Sequence, residues 1–243
     1  MKKIVFPFLL TLLAVVSFSC LDNSDYDLKD SDIFGYVHLY DEFGHNAENY
    51  SMYVSAVNPM SETSGITDVV GMYIIRDVPF GDYKLVFQKE GYGTYVMNGV
   101  KHVSDGEATF IDVIPLLSQK STTTIKVLTV EVSGRTVYFT VITSPLSSAL
   151  ENRYVRLFFD EGAAVSDSVY KNYSDIFTVR DTPYTIEVLK DDFYDMGFEP
   201  GQKVYVKAYG DSFYSNDYLN DDSLRVFPNL NHETPEALSF VLP

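Results

Sequence analysis

The sequence predicts an all-β protein made of two tandem β-sandwich domains, and three observations carry that expectation. Apolar and polar residues alternate with a period of two through most of the chain, as in strands with one buried face. The alternating runs are short, rich in β-branched and aromatic residues, and bounded by Gly, Asn, Asp or Pro. The chain has 243 residues, 46% of them hydrophobic and 21% charged, a globular composition with material for two ordinary cores.

The first element is not a strand. Lys2 and Lys3 precede an apolar stretch from Ile4 to Val16, and small Ser17 and Ser19 lead to Cys20. That stretch has signal-peptide length and is short for a membrane span. Cys20 is the sole cysteine, so no intrachain disulfide forms, and thiol catalysis and cysteine zinc sites are excluded. An acidic run follows, with Asp22, Asp25, Asp27, Asp30 and Asp32. The arrangement resembles the leader of Bacteroidetes-type lipoproteins, with Ser17 standing where Leu is usual. The resemblance implies a signal peptide over 1–19, lipidation at Cys20 and an acidic tether over 20–32, which reads equally as a surface-export signal or as a solvated linker. A lipid-anchored, cell-envelope location is therefore expected, in the outer membrane and exposed at the surface, with the membrane as a partner through the anchor.

The next element is a domain over 33–117. Met52, Val54 and Ala56 point one way and Tyr53, Ser55 and Val57 the other; Tyr83, Leu85 and Phe87 alternate likewise with Lys84, Val86 and Gln88. Gly35-Tyr36-Val37 opens a strand, Asp41-Glu42-Phe43-Gly44 turns it, and Thr67-Asp68 with Gly71-Met72-Tyr73 makes a second turn. Val78-Pro79-Phe80-Gly81-Asp82-Tyr83 then reads as a hairpin, and Gly91-Tyr92 follows it. This order of features resembles the carboxypeptidase regulatory-like domain, and it implies a transthyretin-like β-sandwich over about 85 residues.

A polar run from Ser118 to Thr123 reads as a hydrated boundary, and the second domain spans 118–243. Its strand-like runs are Ile125 to Val132, Thr136 to Thr143, Tyr154 to Asp160, Tyr184 to Leu189, Lys203 to Tyr209 and Leu238 to Leu242. The stretch from Phe198-Glu199-Pro200-Gly201 through Val204-Tyr205-Val206-Lys207-Ala208-Tyr209 resembles the corresponding run of fibronectin type III domains. Val204 stands where that family has its corner tyrosine, which leaves a generic immunoglobulin-like sandwich as the alternative.

The formal net charge is −16, a field that repels phosphates, so nucleic acid is excluded as a partner. His45-Asn46-Ala47-Glu48 has the His-x-x-Glu spacing of zinc carboxypeptidases, but it falls in a polar connection of a β domain, without the further ligand and cavity that catalytic zinc needs. No Gly-x-Ser-x-Gly elbow, dinucleotide fingerprint or phosphate loop is present. Adjacent Asp191-Asp192 and Asp221-Asp222 do not make a glycosidase pair, which needs a set separation across a cleft. Asp217, Asn220, Asp221 and Asp222 offer oxygen ligands but lack the spacing of a calcium loop. The expectation is a protein that is not an enzyme, with no cofactor and no bound metal.

A ligand-binding surface is expected where the strands Tyr154 to Asp160 and Lys203 to Tyr209 lie side by side. With Val155, Leu157, Phe159, Val204, Val206 and Ala208 inward, alternation puts Tyr154, Arg156, Phe158, Tyr205, Lys207 and Tyr209 on the outer face. Phe213, Tyr214 and Tyr218 follow in a connection able to flank it. Tyr and Arg are favoured binding anchors. The function expected is a non-catalytic envelope lipoprotein acting as a binding, adhesion or scaffold module for a protein or glycan ligand. The alternative is an accessory glycan-binding lipoprotein of a polysaccharide uptake system. The absence of Trp weighs against sugar stacking, and the 19 Tyr weigh for it.

Overall fold

The structure, a computed structural model, describes residues 29–103, 107–148 and 151–243. The leader and Cys20 lie outside the described residues. The protein is all-β, and its strands form two sandwiches, each around its own apolar cluster.

The first sandwich contains β1 (Asp30–Tyr36), β2 (His38–Tyr40), β3 (Tyr53–Asn58), β4 (Ser61–Ile66), β5 (Met72–Pro79), β6 (Gly81–Gln88), β7 (Tyr95–His102), β8 (Thr109–Phe110) and β9 (Leu116–Ser118). A sheet in the order β5-β1-β8 faces one in the order β4-β3-β6-β7. The predicted alternation explains the core: Met52, Val54, Ala56, Leu85 and Phe87 are fully buried, while Tyr53 on the opposite face is exposed. Met52, Val54, Leu85 and Phe87 each contribute about 1.5–3 kcal/mol by this burial. The hairpin expected around Pro79 does not form: β5 and β6 lie in different sheets, and the chain turns a corner between them, where the Tyr83 hydroxyl donates to the Pro79 carbonyl at 2.8 Å. The sheets are not wholly antiparallel, because β1 pairs in parallel with β8 and β2 with β9. After β7 the chain crosses from one sheet to the edge of the other, and it arrives running in the same direction as its new neighbour.

The second sandwich contains β10 (Thr124–Ser133), β11 (Thr136–Ser144), β12 (Arg153–Asp160), β13 (Asn172–Tyr173), β14 (Phe177–Val179), β15 (Tyr184–Leu189), the short helix α1 (Lys190–Asp195), β16 (Lys203–Asp211), β17 (Tyr218–Leu219), β18 (Arg225–Val226) and β19 (Leu238–Val241). The order β10-β11-β15 makes one sheet. The other runs β13-β12-β16-β19, with β14 also on β12. As the period of two requires, Val155, Leu157, Phe159, Val204, Val206 and Ala208 all point inward with no exposed surface. Phe193 of α1 joins them, at ring distances of 5.2 Å from Phe159 and 5.4 Å from Phe240. One helical turn is too short to leave a periodic signal in the sequence.

The polar run 118–123 is not a hydrated linker. Ser118, Ser121 and Thr123 are buried, because the long connection after β16 folds back over them. Ser118 N donates to Asn216 Oδ1 at 2.8 Å, and the Ser118 carbonyl accepts from Asn216 Nδ2 at 2.9 Å and from Asn229 Nδ2 at 3.1 Å. Asn229, itself fully buried, also donates to the Tyr214 carbonyl at 2.8 Å and accepts from Gly93 N at 3.0 Å. Buried backbone groups need partners, and here two asparagine side chains supply them. Gly93 is required by closeness: a Cβ there would stand 2.5 Å from Asn229 Oδ1 and 2.6 Å from the Pro228 carbonyl.

Further contacts lock the two bodies together. The turn after β2 presents Glu42, whose carboxylate accepts from Thr122 N at 2.7 Å and lies 3.7 Å from Arg153 Nη1. The Arg153 guanidinium also covers the Phe43 ring at 4.9 Å. The β17–β18 hairpin reaches across to the first sandwich, where Asn98 Nδ2 donates to the Leu219 carbonyl at 2.6 Å and Lys84 pairs with Asp221. Replacing Asn229 by Ala strands Gly93 N–H and the Tyr214 carbonyl in a buried site. The expected cost is on the order of 3 kcal/mol, read as a lowered urea midpoint together with faster proteolysis within 118–123; unchanged cleavage there would show that the asparagine does not hold the joint.

Candidate functional site: a cleft at the junction

Strands β12 and β16 pair antiparallel with Arg156 opposite Tyr209 and Phe158 opposite Lys207. Tyr154, Arg156, Phe158, Tyr205, Lys207 and Tyr209 therefore share the outer face of that sheet, but the face is not open. Residues 161–176 and 212–237 cover it and build a third apolar cluster of Phe158, Val165, Tyr209, Phe227 and Leu230. Phe158 meets Phe227 at 5.1 Å and Tyr209 at 5.5 Å, both edge to face. Burial pushes the Tyr209 phenol up to about 12. Tyr154, Arg156, Phe158 and Tyr209 are buried, and Tyr205 and Lys207 are half-buried. The expected aromatic patch is thus corrected to interior packing, because the connections flanking β12 and β16 carry apolar residues that need a surface to cover.

One member of that face still reaches solvent at a concavity. A cleft of about 530 Å³ opens where the two sandwiches meet, within the range of small-molecule sites, roughly 300–1,000 Å³. Tyr95 and Leu116 line it from the first sandwich. Arg156, Tyr173 and Asp175 come from the second, and Phe213, Tyr214, Asp217 and Arg225 from the connection that bridges them. Of these, alternation in the sequence points to Arg156 on the patch, the following connection offers Phe213 and Tyr214 beside it, and Asp217 reads from the sequence only as an oxygen ligand. Tyr95, Leu116, Tyr173, Asp175 and Arg225 carry no local signal, since only the fold brings them together.

Arg156 is held rigidly. Its Nε donates to Asp211 Oδ2 at 2.9 Å and Nη1 to the Ser174 carbonyl at 2.7 Å, and its plane lies 4.6 Å from the Phe227 ring centre. Burial pushes the Asp211 carboxyl up, and the guanidinium opposes that shift. Burial likewise raises Asp217, but hydrogen bonds from Ser215 and Arg225 and the nearby positive charges outweigh it and hold the group below the ordinary aspartate value. Asp217 is therefore an ionised acceptor. Asp175 adds an exposed carboxylate. The lining carries two cations and two anions, and Asp211 neutralises Arg156 from behind, so the cleft holds no excess of positive charge. Tyr214 packs between Phe213 at 4.7 Å and Tyr40 at 4.9 Å, which fixes its ring.

Asp217 is occupied by Arg225, and Asp221 by Lys84. Among the described residues no group of three or more His, Cys, Asp or Glu side chains is placed to hold a metal ion. His45 pairs with Asp41 at 2.9 Å on an exposed turn.

No protein-family model matches the chain, and no curated protein matches it. Among solved structures, it is similar to a proposed carbohydrate-binding protein from Bacteroides uniformis at 12% identity, over 88% of this chain and 99% of that one, with a TM-score of 0.33. It is also similar to DUF3823 family proteins from Bacteroides ovatus (12% identity, 88% and 100% covered, TM-score 0.29) and Parabacteroides merdae (9% identity, 88% and 100% covered, TM-score 0.30).

Replacing Arg156 by Ala leaves Asp211 buried without its counter-ion, and the expected loss is about 3–5 kcal/mol. Changing both together, Arg156→Met with Asp211→Leu, removes the stranded charge and should recover most of the urea midpoint; equal damage in the single and double variants would refute the pairing.

Proposed function

We propose that the protein is a lipid-anchored envelope protein, held through Cys20, that binds a neutral carbohydrate in the junction cleft and performs no chemistry on it. The observation that carries this reading is the cleft's combination of phenolic rings with balanced charge. A sugar ring has an apolar C–H face, which stacks on rings such as Tyr214 and Tyr173, and hydroxyl edges that both donate and accept. Asp175 and Asp217 accept from hydroxyls, while Arg156 and Arg225 donate to them. A lining without excess positive charge gives no preference for anions, and the overall charge of −16 repels polyanions.

The electrostatics also support a role without catalysis. Glycoside hydrolysis needs a protonated carboxylic acid facing a second carboxylate, and Asp217 is held in its ionised form. The rigid joint suits a scaffold, because the cleft is presented in one geometry on the end of a tether.

Two experiments test the proposal. On an array of neutral and acidic glycans the exported domain pair should retain neutral ones. Asp175→Asn and Tyr214→Ala should each weaken that binding by about tenfold, with the urea midpoint nearly unchanged for Asp175→Asn and modestly lowered for Tyr214→Ala, which loses two ring contacts. Retention of acidic glycans alone, or of none, would sink the carbohydrate reading. In cells, Cys20→Ala should abolish fatty-acid labelling and move the protein from the membrane to the soluble fraction; labelling that persists in the variant would rule out the anchor.

A further inference from the structure

We infer that the ligand is a chain of several sugar residues, and that it continues from the junction cleft past Tyr95 into a second subsite between β7 and β8, with Phe110 as its platform. This rests on the carbohydrate reading of the cleft and extends it to ligand length.

A groove of about 300 Å³ lies between β7 and the stretch that follows β8. It exists because β7 and β8 are edge strands of opposite sheets and, among the described residues, no strand closes the mouth between them. Strand β8 has only two residues, and after Ile111, whose N–H donates to the Phe34 carbonyl at 2.9 Å, residues 112–115 run outside the strands until β9. The register slips between Tyr83 and Leu85 opposite Asn98 and Gly99, and Gly99 takes a positive φ of 73°. Such a bulge bends the edge strand at the groove.

The groove repeats the chemistry of the cleft. Phe110 is 51% exposed, and Phe34 backs its ring at 5.1 Å, so the platform is both accessible and fixed. Lys101 and Asp112 line the same groove and provide one donor and one acceptor. An aromatic face beside balanced charges thus occurs twice.

Continuity makes the two concavities one path. Tyr95 lines both, and the segment that lines the groove through Val113 enters the cleft wall at Pro115 and Leu116. Along the way Val113, Ile114 and Leu116 remain 59%, 42% and 40% exposed. A contiguous apolar strip of this kind marks an interaction site. A single sugar residue in the cleft leaves it uncovered, whereas a chain leaving the cleft covers it with successive C–H faces.

The test uses the full exported protein and titration calorimetry with neutral gluco-, manno-, galacto- and xylo-oligosaccharides of two and six residues. The six-residue member of the series that binds should do so about tenfold more tightly than its dimer. Phe110→Ala should bring the hexamer down to the dimer's affinity and leave the dimer unchanged, and Tyr214→Ala should weaken both. Val113→Ser, a milder change on the same path, should reduce the hexamer's advantage in part. Equal affinity for dimer and hexamer, or a hexamer indifferent to both groove variants, overturns the second subsite while leaving the cleft reading intact. Failure of every oligosaccharide to bind removes both. Capture of extended peptides by the β7 edge in a Phe110-dependent way would assign the groove to a protein partner and overturn the inference as well.

Discussion

The joint depends on the way Asn216 and Asn229 enclose Ser118. The last residue of the first sandwich has both its N–H and its carbonyl taken by asparagine side chains from the far end of the chain. Those amides act where a neighbouring strand would, and they allow a polar segment to pass through the interior without orphaned groups. Asn216 adopts a positive φ of 53° to do so, a conformation that asparagine tolerates better than most residues. This knot fixes the connection after β16 where it crosses the joint, and the cover over β12 and β16 and the cleft walls extend from that point.

That connection has three tasks at once. It buries the outer face of the β12–β16 sheet with Phe227 and Leu230, it spans to the first sandwich with the β17–β18 hairpin, and it supplies Phe213, Tyr214, Asp217 and Arg225 to the cleft. The electrostatic arrangement follows from the first task. Covering the sheet buries Arg156 and Asp211, and their mutual charge, with the Ser174 carbonyl, keeps them satisfied. An unpaired charge there would be costly. The guanidinium is thereby immobilised in the wall of the cleft with almost none of its surface exposed.

Much of the fold could be read along the chain because inward positions recur at a period set by strand geometry alone. Val155, Leu157, Phe159, Val204, Val206 and Ala208 were assignable to the core from alternation, and the same count put Arg156 and Phe158 on the opposite face. The error concerned what lies above that face. Alternation says which side a residue is on and nothing about whether a distant segment packs there, so Tyr154, Phe158 and Tyr209 looked like a surface. The polar run at 118–123 misled in the same way, since a serine's hydroxyl and backbone suit water or an asparagine equally well.

The sequence by itself determined the strand-rich class, the two sets of inward side chains and the acidic charge, because each is local or additive. Tertiary structure alone decided the junction: which polar groups are buried, which carboxylate is paired, and that Tyr95 and Leu116 face Arg225 across a cleft. Most of those outcomes depend on contacts between residues from 55 to 137 positions apart, and such pairings leave no period or spacing in the chain that makes them.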